Sequence, residues 1–386
     1  MNAYIVDAVR SPIGRKNGTL AAMRGDDLAA QVLNTLVRRN DLDPAAIEDV
    51  QMGCVTQIGE QGWNVGRMAV LAAGWPVGVP ATTVDRQCGS SMQTNFNAAA
   101  AVASGQLDLV VSAGVEMMSR VPMGSNGGSL SDEVTSRHEI VMQGTSAELL
   151  AREWGISREA QDAYSLASHR RAIAASDEGR FESEIATIEL PDEPSRGGAA
   201  TRTVFAVDEA ARRDTSLEKL AALAPAFQAD GVVTAGNSSQ IVDGAAAVLI
   251  ASERALAEHG LEPRARFASF GLAGVDPTRM LHGNPEAIGK ALARAGITLD
   301  DVAVIEVNEA FAVVVLQTAS DLGLGERMDD VNPNGGGISL GHPLGANGAR
   351  ITATLLSELE RRDARYGIAT MCIGFGQALA GVVERL

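Results

Sequence analysis

One order of elements occurs twice along this chain. Strand, helix, strand, a glycine-containing turn into a helix, then a largely apolar strand ending at a glycine corner, run from Tyr4 to Gly114. The same order returns from Ala265 to Gly376. The predicted strands are Tyr4–Val9, Ile47–Val55 and Leu107–Ala113, then Ala265–Ala273, Val302–Val307 and Tyr366–Cys372. Between them, helical spacing is clear in 26–39, where Leu28, Val32, Leu33, Leu36 and Val37 recur on one face. It is predicted again in 65–73, 285–295 and 345–361. Short apolar strands alternating with helices are the pattern of a sheet covered on both sides. The class is α/β, with a largely parallel sheet expected. Identity between the two blocks is slight, so the duplication rests on pattern.

The residues from 118 to 240 break the pattern. Met123–Ser131 is rich in Gly and Ser, Pro191–Thr201 is polar, and Ser157–Glu178 reads as a heavily charged helix. Ser216–Leu223 reads as a short helix, and Ile241–Ser252 is apolar enough to rejoin a core. This divides the 386 residues into a first half (1–117 plus 241–264), an inserted loop domain (118–240) and a second half (265–386). Glycine is abundant, at 41 residues, and aromatics are only 4%. Small residues at that frequency suit backbones packed closely, as when helices lie between sheets.

A formal charge of −16 argues against nucleic acid or an anionic membrane surface as the main partner. An anionic small molecule needs only a local basic patch. No apolar run approaches the roughly 18 residues of a spanning helix, and the N-terminus reads as a strand, not a signal peptide. Cys54, Cys88 and Cys372 are an odd, sparse set, poor for a disulfide framework and pointing to a reducing, cytoplasmic setting.

Cys88 stands at the turn Asp85-Arg86-Gln87-Cys88-Gly89-Ser90-Ser91 before a small-residue helix. A helix mouth offers unpaired N–H groups and partial positive charge, which favour a thiolate. The residue is either an activated nucleophile or a buried structural cysteine. His342, before Pro343, is expected at the corresponding mouth in the second block, as a neutral base or a capping side chain. Cys372 closes an apolar strand and reads as core, except that Gly374 and Gly376 beside it expose N–H groups suited to an oxyanion. Gly374-x-Gly376 is not a dinucleotide fingerprint, and the sequence around Gly289-Lys290 lacks the first glycine of a P-loop. The five histidines are not at ligand spacing, so no metal site is expected. Cys54 reads as core.

Four motifs occur in order: Cys88-Gly89-Ser90-Ser91-Met92, Asn308-Glu309-Ala310-Phe311, Gly341-His342-Pro343-x-Gly345 and Cys372-Ile373-Gly374-x-Gly376. With them the whole chain, from Ala8-Val9-Arg10-Ser11-Pro12 onward, resembles the thiolases, which make or cleave 3-ketoacyl-CoA. The resemblance implies duplicated halves forming a layered α-β-α-β-α core with the inserted loop domain over a coenzyme A site. It implies Cys88 as acyl-carrying nucleophile, His342 as its base and Cys372 as the second acid–base. It also implies Asn308 positioning a water at the enolate, and N–H groups of Cys88 and Gly374 holding the tetrahedral oxyanion. Arg212 and Ser239 resemble coenzyme-contacting positions, near the nucleotide and the pantetheine respectively. Coenzyme A is implied as co-substrate, with no permanently bound cofactor. Family habit implies a homodimer or homotetramer acting in fatty-acid β-oxidation and leaves room for a hydratase/dehydrogenase partner subunit.

Two positions depart from the family pattern. Phe375 replaces a glycine, where it either narrows an acyl tunnel or points into the core, and Asn347 stands where Ser or Thr is common. Cys-Gly-Ser-Ser leans toward a 3-ketoacyl-CoA thiolase of broader chain length over an acetoacetyl-CoA-specific enzyme. A ketoacyl synthase of the same fold would carry His or Asn in place of Cys372. An inert, thiolase-shaped lipid carrier or assembly subunit would be expected to lack Cys88 or His342.

Overall fold

The structure, a computed structural model, describes residues 2–191 and 203–386. Of the polar stretch read at Pro191–Thr201, residues 192–201 lie outside the described residues.

The first block forms β1 (Tyr4–Arg10), α1 (Gly25–Arg39), β2 (Asp49–Gly53), α2 (Val65–Ala72), β3 (Ala81–Val84), α3 (Ser90–Ala103) and β4 (Leu109–Met117). Then come α4 (Gln143–Glu153) and α5 (Arg158–Asp177), before the chain returns as β5 (Val242–Ala251). The second block forms β6 (Ala265–Gly274), α6 (Asn284–Ala295), β7 (Val302–Val307), α7 (Ala312–Asp321), α8 (Asn347–Arg361), β8 (Tyr366–Ile373) and β9 (Gln377–Arg385).

The strands lie in the order β7-β8-β9-β6-β1-β5-β4-β2-β3. The two halves follow the same strand order, with four strands in the second against five in the first. β1-β5-β4-β2-β3 corresponds to β6-β9-β8-β7, with Val331 bridging parallel to Ile305 where β3 lies beside β2 in the first half. The halves join where Tyr4 and Ile5 of β1 pair with Arg266 and Ala265 of β6. The sheet is mixed, not largely parallel. β2/β3, β2/β4 and β7/β8 are parallel, whereas β1/β5, β4/β5, β8/β9 and β6/β9 are antiparallel. The reason lies in the connections: β9 follows β8 by the tight corner Gly374–Gly376, and a hairpin can join only antiparallel neighbours.

Alternating side chains make the layers. In β5, Ala245, Ala247 and Leu249 face α1 and α2, packing with Leu28, Val32, Leu36 and Val70. Their neighbours Ala246, Val248 and Ile250 face the other way, onto α3 and α8. Both faces are covered, which is why every residue of β4 and β5 is buried. The same central cluster takes Phe267, Phe270, Met371 and Leu379 from the second half, so α3 and α8 form the middle layer. α6 and α7 cover the far side of β7–β9 through Ile288, Leu292, Ala312 and Val315. The result is α-β-α-β-α.

Glycines set the closeness of the middle layer. A Cβ on Gly348 of α8 would fall 2.0 Å from the Met92 nitrogen of α3, and one on Gly114 would fall 2.3 Å from the Gly345 carbonyl. Only a bare backbone fits there.

Candidate active site

The C-terminal ends of β2, β4, β7 and β8 come together beneath the mouths of α3 and α8. Asn308 follows β7 directly, and its N–H donates to the Thr370 carbonyl of β8 at 2.9 Å. Cys372 lies two residues further along β8. The α8 mouth is pinned to the first half at several points. Gly345 N–H donates to Glu116 Oε2 at 2.9 Å, and Ala349 N–H donates to Ser91 Oγ at 3.0 Å. Glu116 also accepts from the Val55 and Thr56 N–H groups, at 2.9 and 3.0 Å. Its buried carboxylate therefore ties one loop from each half. Leu344, two residues past His342, packs with Cys88, Val55 and Met118.

Cys88 is 6% exposed, Cys372 1% and His342 3%. Burial decides their protonation. It pushes Cys88 up to about 11, against the pull of the Gln143 side chain and of the backbone N–H groups of Cys88 and Gly374, which reach its sulfur. The expected thiolate does not form at rest, because desolvation outweighs the helix mouth. Burial also pushes Cys372 up, and charge on Cys88 pushes it further, so the two sulfurs sense each other across a dry interior.

His342 is neutral, lowered to about 3 by burial and then by the Arg350 guanidinium, against a smaller opposing contribution from Asn347. Its placement differs from the expectation. α8 proper begins only at Asn347, after a 3₁₀ turn over Leu344–Ala346, so no α-helical dipole starts at the imidazole. Asn308 Nδ2 lies 3.3 Å from His342 Nε2.

Two left-handed non-glycine residues flank the reactive groups. Gln87, just before Cys88, has φ +47°, and Phe375, just after Gly374, has φ +64°. Left-handed conformations cost a non-glycine residue about 1 kcal/mol or more and persist where surroundings impose them. Phe375 is 53% exposed, so it does not point into the core.

Gln143 was not legible as a site residue. It opens α4, in the segment between the two blocks, and its Nε2 lies where a Cβ on Gly374 would be 3.4 Å away. From the same segment Ala147 and Leu150 pack with Phe311, Val314 and Cys372. Ser239 joins this region through its N–H, which donates to the Ala310 carbonyl at 2.9 Å. Arg212 stands apart: it is exposed, and its N–H donates to His169 Nδ1 at 3.1 Å. Among the described residues no group of His, Cys, Asp and Glu could hold a metal ion, and no helix is long and apolar enough to cross a membrane.

A buried thiol packed against Leu344 of the turn that carries a neutral imidazole, with a second thiol and backbone N–H groups at hand, is equipped for acyl transfer through a covalent thioester. Comparison with known proteins agrees. Residues 3–254 match the thiolase N-terminal domain, and residues 261–385 the thiolase C-terminal domain. The chain belongs to the thiolase family and is an acyltransferase enzyme. Thiolytic cleavage by coenzyme A, as co-substrate, is the known reaction of that family.

Among relatives, the 3-ketoacyl-CoA thiolase of Aliivibrio fischeri is 48% identical over 391 residues, covering 100% of this chain and 99% of the relative. That of Psychrobacter cryohalolentis is 47% identical over 389 residues, covering 100% and 98%. Among solved structures, the acetyl-CoA acetyltransferase of Bacillus anthracis superposes with a TM-score of 0.91 at 39% identity, covering 100% of this chain and 99% of that one. Human mitochondrial 3-ketoacyl-CoA thiolase in complex with CoA gives 0.90 at 36%, covering 100% and 98%.

Proposed function

We propose that this chain cleaves 3-ketoacyl-CoA with coenzyme A to acetyl-CoA and a shortened acyl-CoA, using Cys88, His342 and Cys372. The observation that carries the reading is the meeting of the α3 mouth, the α8 mouth and the ends of β7 and β8 around these three side chains.

Cys88 and His342 rest as a neutral pair, so the proton moves to Nε2 as the sulfur attacks the 3-keto carbon. The N–H groups of Cys88 and Gly374 hold the tetrahedral oxyanion. The C2–C3 bond then breaks, leaving the acyl group on Cys88 and the electron pair on the acetyl-CoA enolate. His342, with Asn308 and the water it positions, stabilises that enolate, and Cys372 protonates it. Burial suits Cys372 to this: a thiol that holds its proton arrives loaded, and the thiolate it leaves is a strong base. Coenzyme A then gives its thiol proton to Cys372 and attacks the thioester. Cys88 leaves as thiolate and recovers its proton from His342. Run backward, the steps join two acyl-CoA molecules.

The depth of the two sulfurs suits a substrate that delivers its thioester on a long, thin pantetheine arm. Ser239, bonded to the Ala310 backbone, is assigned to that arm. The exposed Arg212 is assigned to the nucleotide end. Residues 118–240 are assigned as the loop domain over the coenzyme, with 1–117 plus 241–264 and 265–386 as the halves. We infer a homo-oligomer acting in fatty-acid β-oxidation in the cytoplasm, consistent with three free cysteines.

The test is loss of 3-ketoacyl-CoA absorbance on adding coenzyme A, across acyl chain lengths. No turnover at any length with folded protein removes the reading. Turnover confined to acetoacetyl-CoA narrows it to the short-chain enzyme.

A further inference from the structure

Behind His342 runs a line of buried polar side chains whose first member can only donate. Arg350 Nε donates to Asn347 Oδ1 at 2.7 Å, Asn347 Nδ2 donates to Asn308 Oδ1 at 2.9 Å, and Asn308 Nδ2 lies 3.3 Å from His342 Nε2. Asn347 and Arg350 are three apart in the first turn of α8 and so share a face. All four side chains are buried, none more than 3% exposed.

The two ends of a side-chain amide are ordinarily hard to tell apart, and its orientation follows from its partners. Here the guanidinium settles the question. It has five N–H donors and no acceptor, so the oxygen of Asn347 must face it. The amine of Asn347 then needs an acceptor, and Asn308 can offer only its oxygen. That turns the Asn308 amine toward Nε2. An amine donates, so Nε2 must present its lone pair, and the proton of the neutral ring lies on Nδ1. Nδ1 has no hydrogen-bond partner among the described residues, so the tautomer is set where the ring meets Asn308, beside the smaller contribution of Asn347.

We propose that Arg350 and Asn347 are positioning residues that hold His342 in the Nδ1–H tautomer, keeping Nε2 ready to accept the proton of Cys88. The proposal rests on the reading of His342 as that base. It adds a consequence for the proton's path. Once Nε2 is protonated, it faces an amine that can no longer donate to it. The imidazolium is therefore disfavoured at that contact, and the Asn308 amine is released toward the developing enolate. A chain with its first link reversed would do the opposite. In Asn347→Asp both oxygens accept, so Asp at 347 would bind Arg350 and draw the Asn308 amine toward itself. The Asn308 oxygen would then face Nε2 and call for a proton there.

The decisive measurement is the ¹⁵N tautomer pattern of His342 in the free, full-length protein, assigned by the signal that His342→Gln removes from among the five histidines. The expected result is a protonated Nδ1 and an unprotonated Nε2 near neutral pH. In Asn347→Asp the proton appears on Nε2, with kcat lower by about 10²-fold or more, the scale of misplacing a general base. An Nε2–H ring in the unaltered protein overturns the proposal, whether or not the variant folds. So does a folded Asn347→Asp protein that keeps the Nδ1–H pattern. Acyl labelling of Cys88 tests the underlying reaction separately, and it can succeed while the tautomer assignment fails.

Discussion

The two halves share one strand order and place their reactive side chains at the same kind of corner, yet they furnish those corners differently. In the first half Cys88 packs with Val55, Met118 and Leu344, and the donors that reach its sulfur are the Gln143 side chain and backbone N–H groups. In the second, His342 meets Asn308, with Asn347 and Arg350 behind it. Each half also buries a carboxylate near its corner. Glu116 accepts backbone N–H groups from both halves and ties the loop after β2 to the turn before α8. Glu309 instead accepts from Tyr164 and Ser168 of α5, each at 2.7 Å, and fixes the insertion to the second half. On the proposed roles the lesson is a division of labour: one copy of the unit supplies a dry pocket for the nucleophile, the other a hydrogen-bonded seat for its base.

The strongest way to break that contrast is to exchange the reactive atoms for none. Cys88→Ala should abolish both turnover and labelling by an acyl donor, read by mass spectrometry of the intact chain. Labelling that survives would move the nucleophile elsewhere. Cys372→Ala should still become acylated, but thiolysis should fall on the order of 10³-fold, within the range for loss of a general acid–base. A variant that turns over normally would remove the second thiol from the chemistry.

The contact between the halves gives a structural test. Gly348→Ala improves helix propensity by about 1 kcal/mol, yet its Cβ would meet the Met92 backbone at 2.0 Å. Net destabilisation of about 2 kcal/mol is expected, read in denaturant unfolding. A more stable variant would mean the middle layer is looser than the glycines imply.

The smallest effect belongs to Gln143. Alkylation of Cys88 should keep rising with pH toward about 11, because the thiol holds its proton below that value. An ordinary thiol would level off near pH 8.5. Gln143→Ala removes one donor to the sulfur, so the profile should move further up and neutral-pH alkylation should slow roughly fivefold, the worth of about 1 kcal/mol of hydrogen bonding. An unchanged profile would leave Cys88 set by burial and backbone alone.

Much of the scaffold was legible because its cues are local. Leu28, Val32 and Leu36 recur on one helical face, and Val302–Val307 is an apolar run of strand length. The sequence alone does not mark β9 as a strand. Its residues Gln377–Arg385 follow a glycine corner with no flanking helix signal, and their partners β8 and β6 lie on either side in space. Gln143 stayed hidden because nothing in 143–153 ties it to residue 88. Phe375 departs from the family pattern in the sequence, but its direction depends on the left-handed corner it occupies.

The order of motifs, the small-residue helices and the two apolar blocks were determined by the chain alone, since propensity and spacing act over a few neighbours. Which way each proton sits was decided only by the folded molecule. Desolvation at Cys88 and His342, and the orientation of Asn347 and Asn308, depend on groups brought within a few ångströms from distant parts of the chain, where dielectric and donor–acceptor matching take over from local preference.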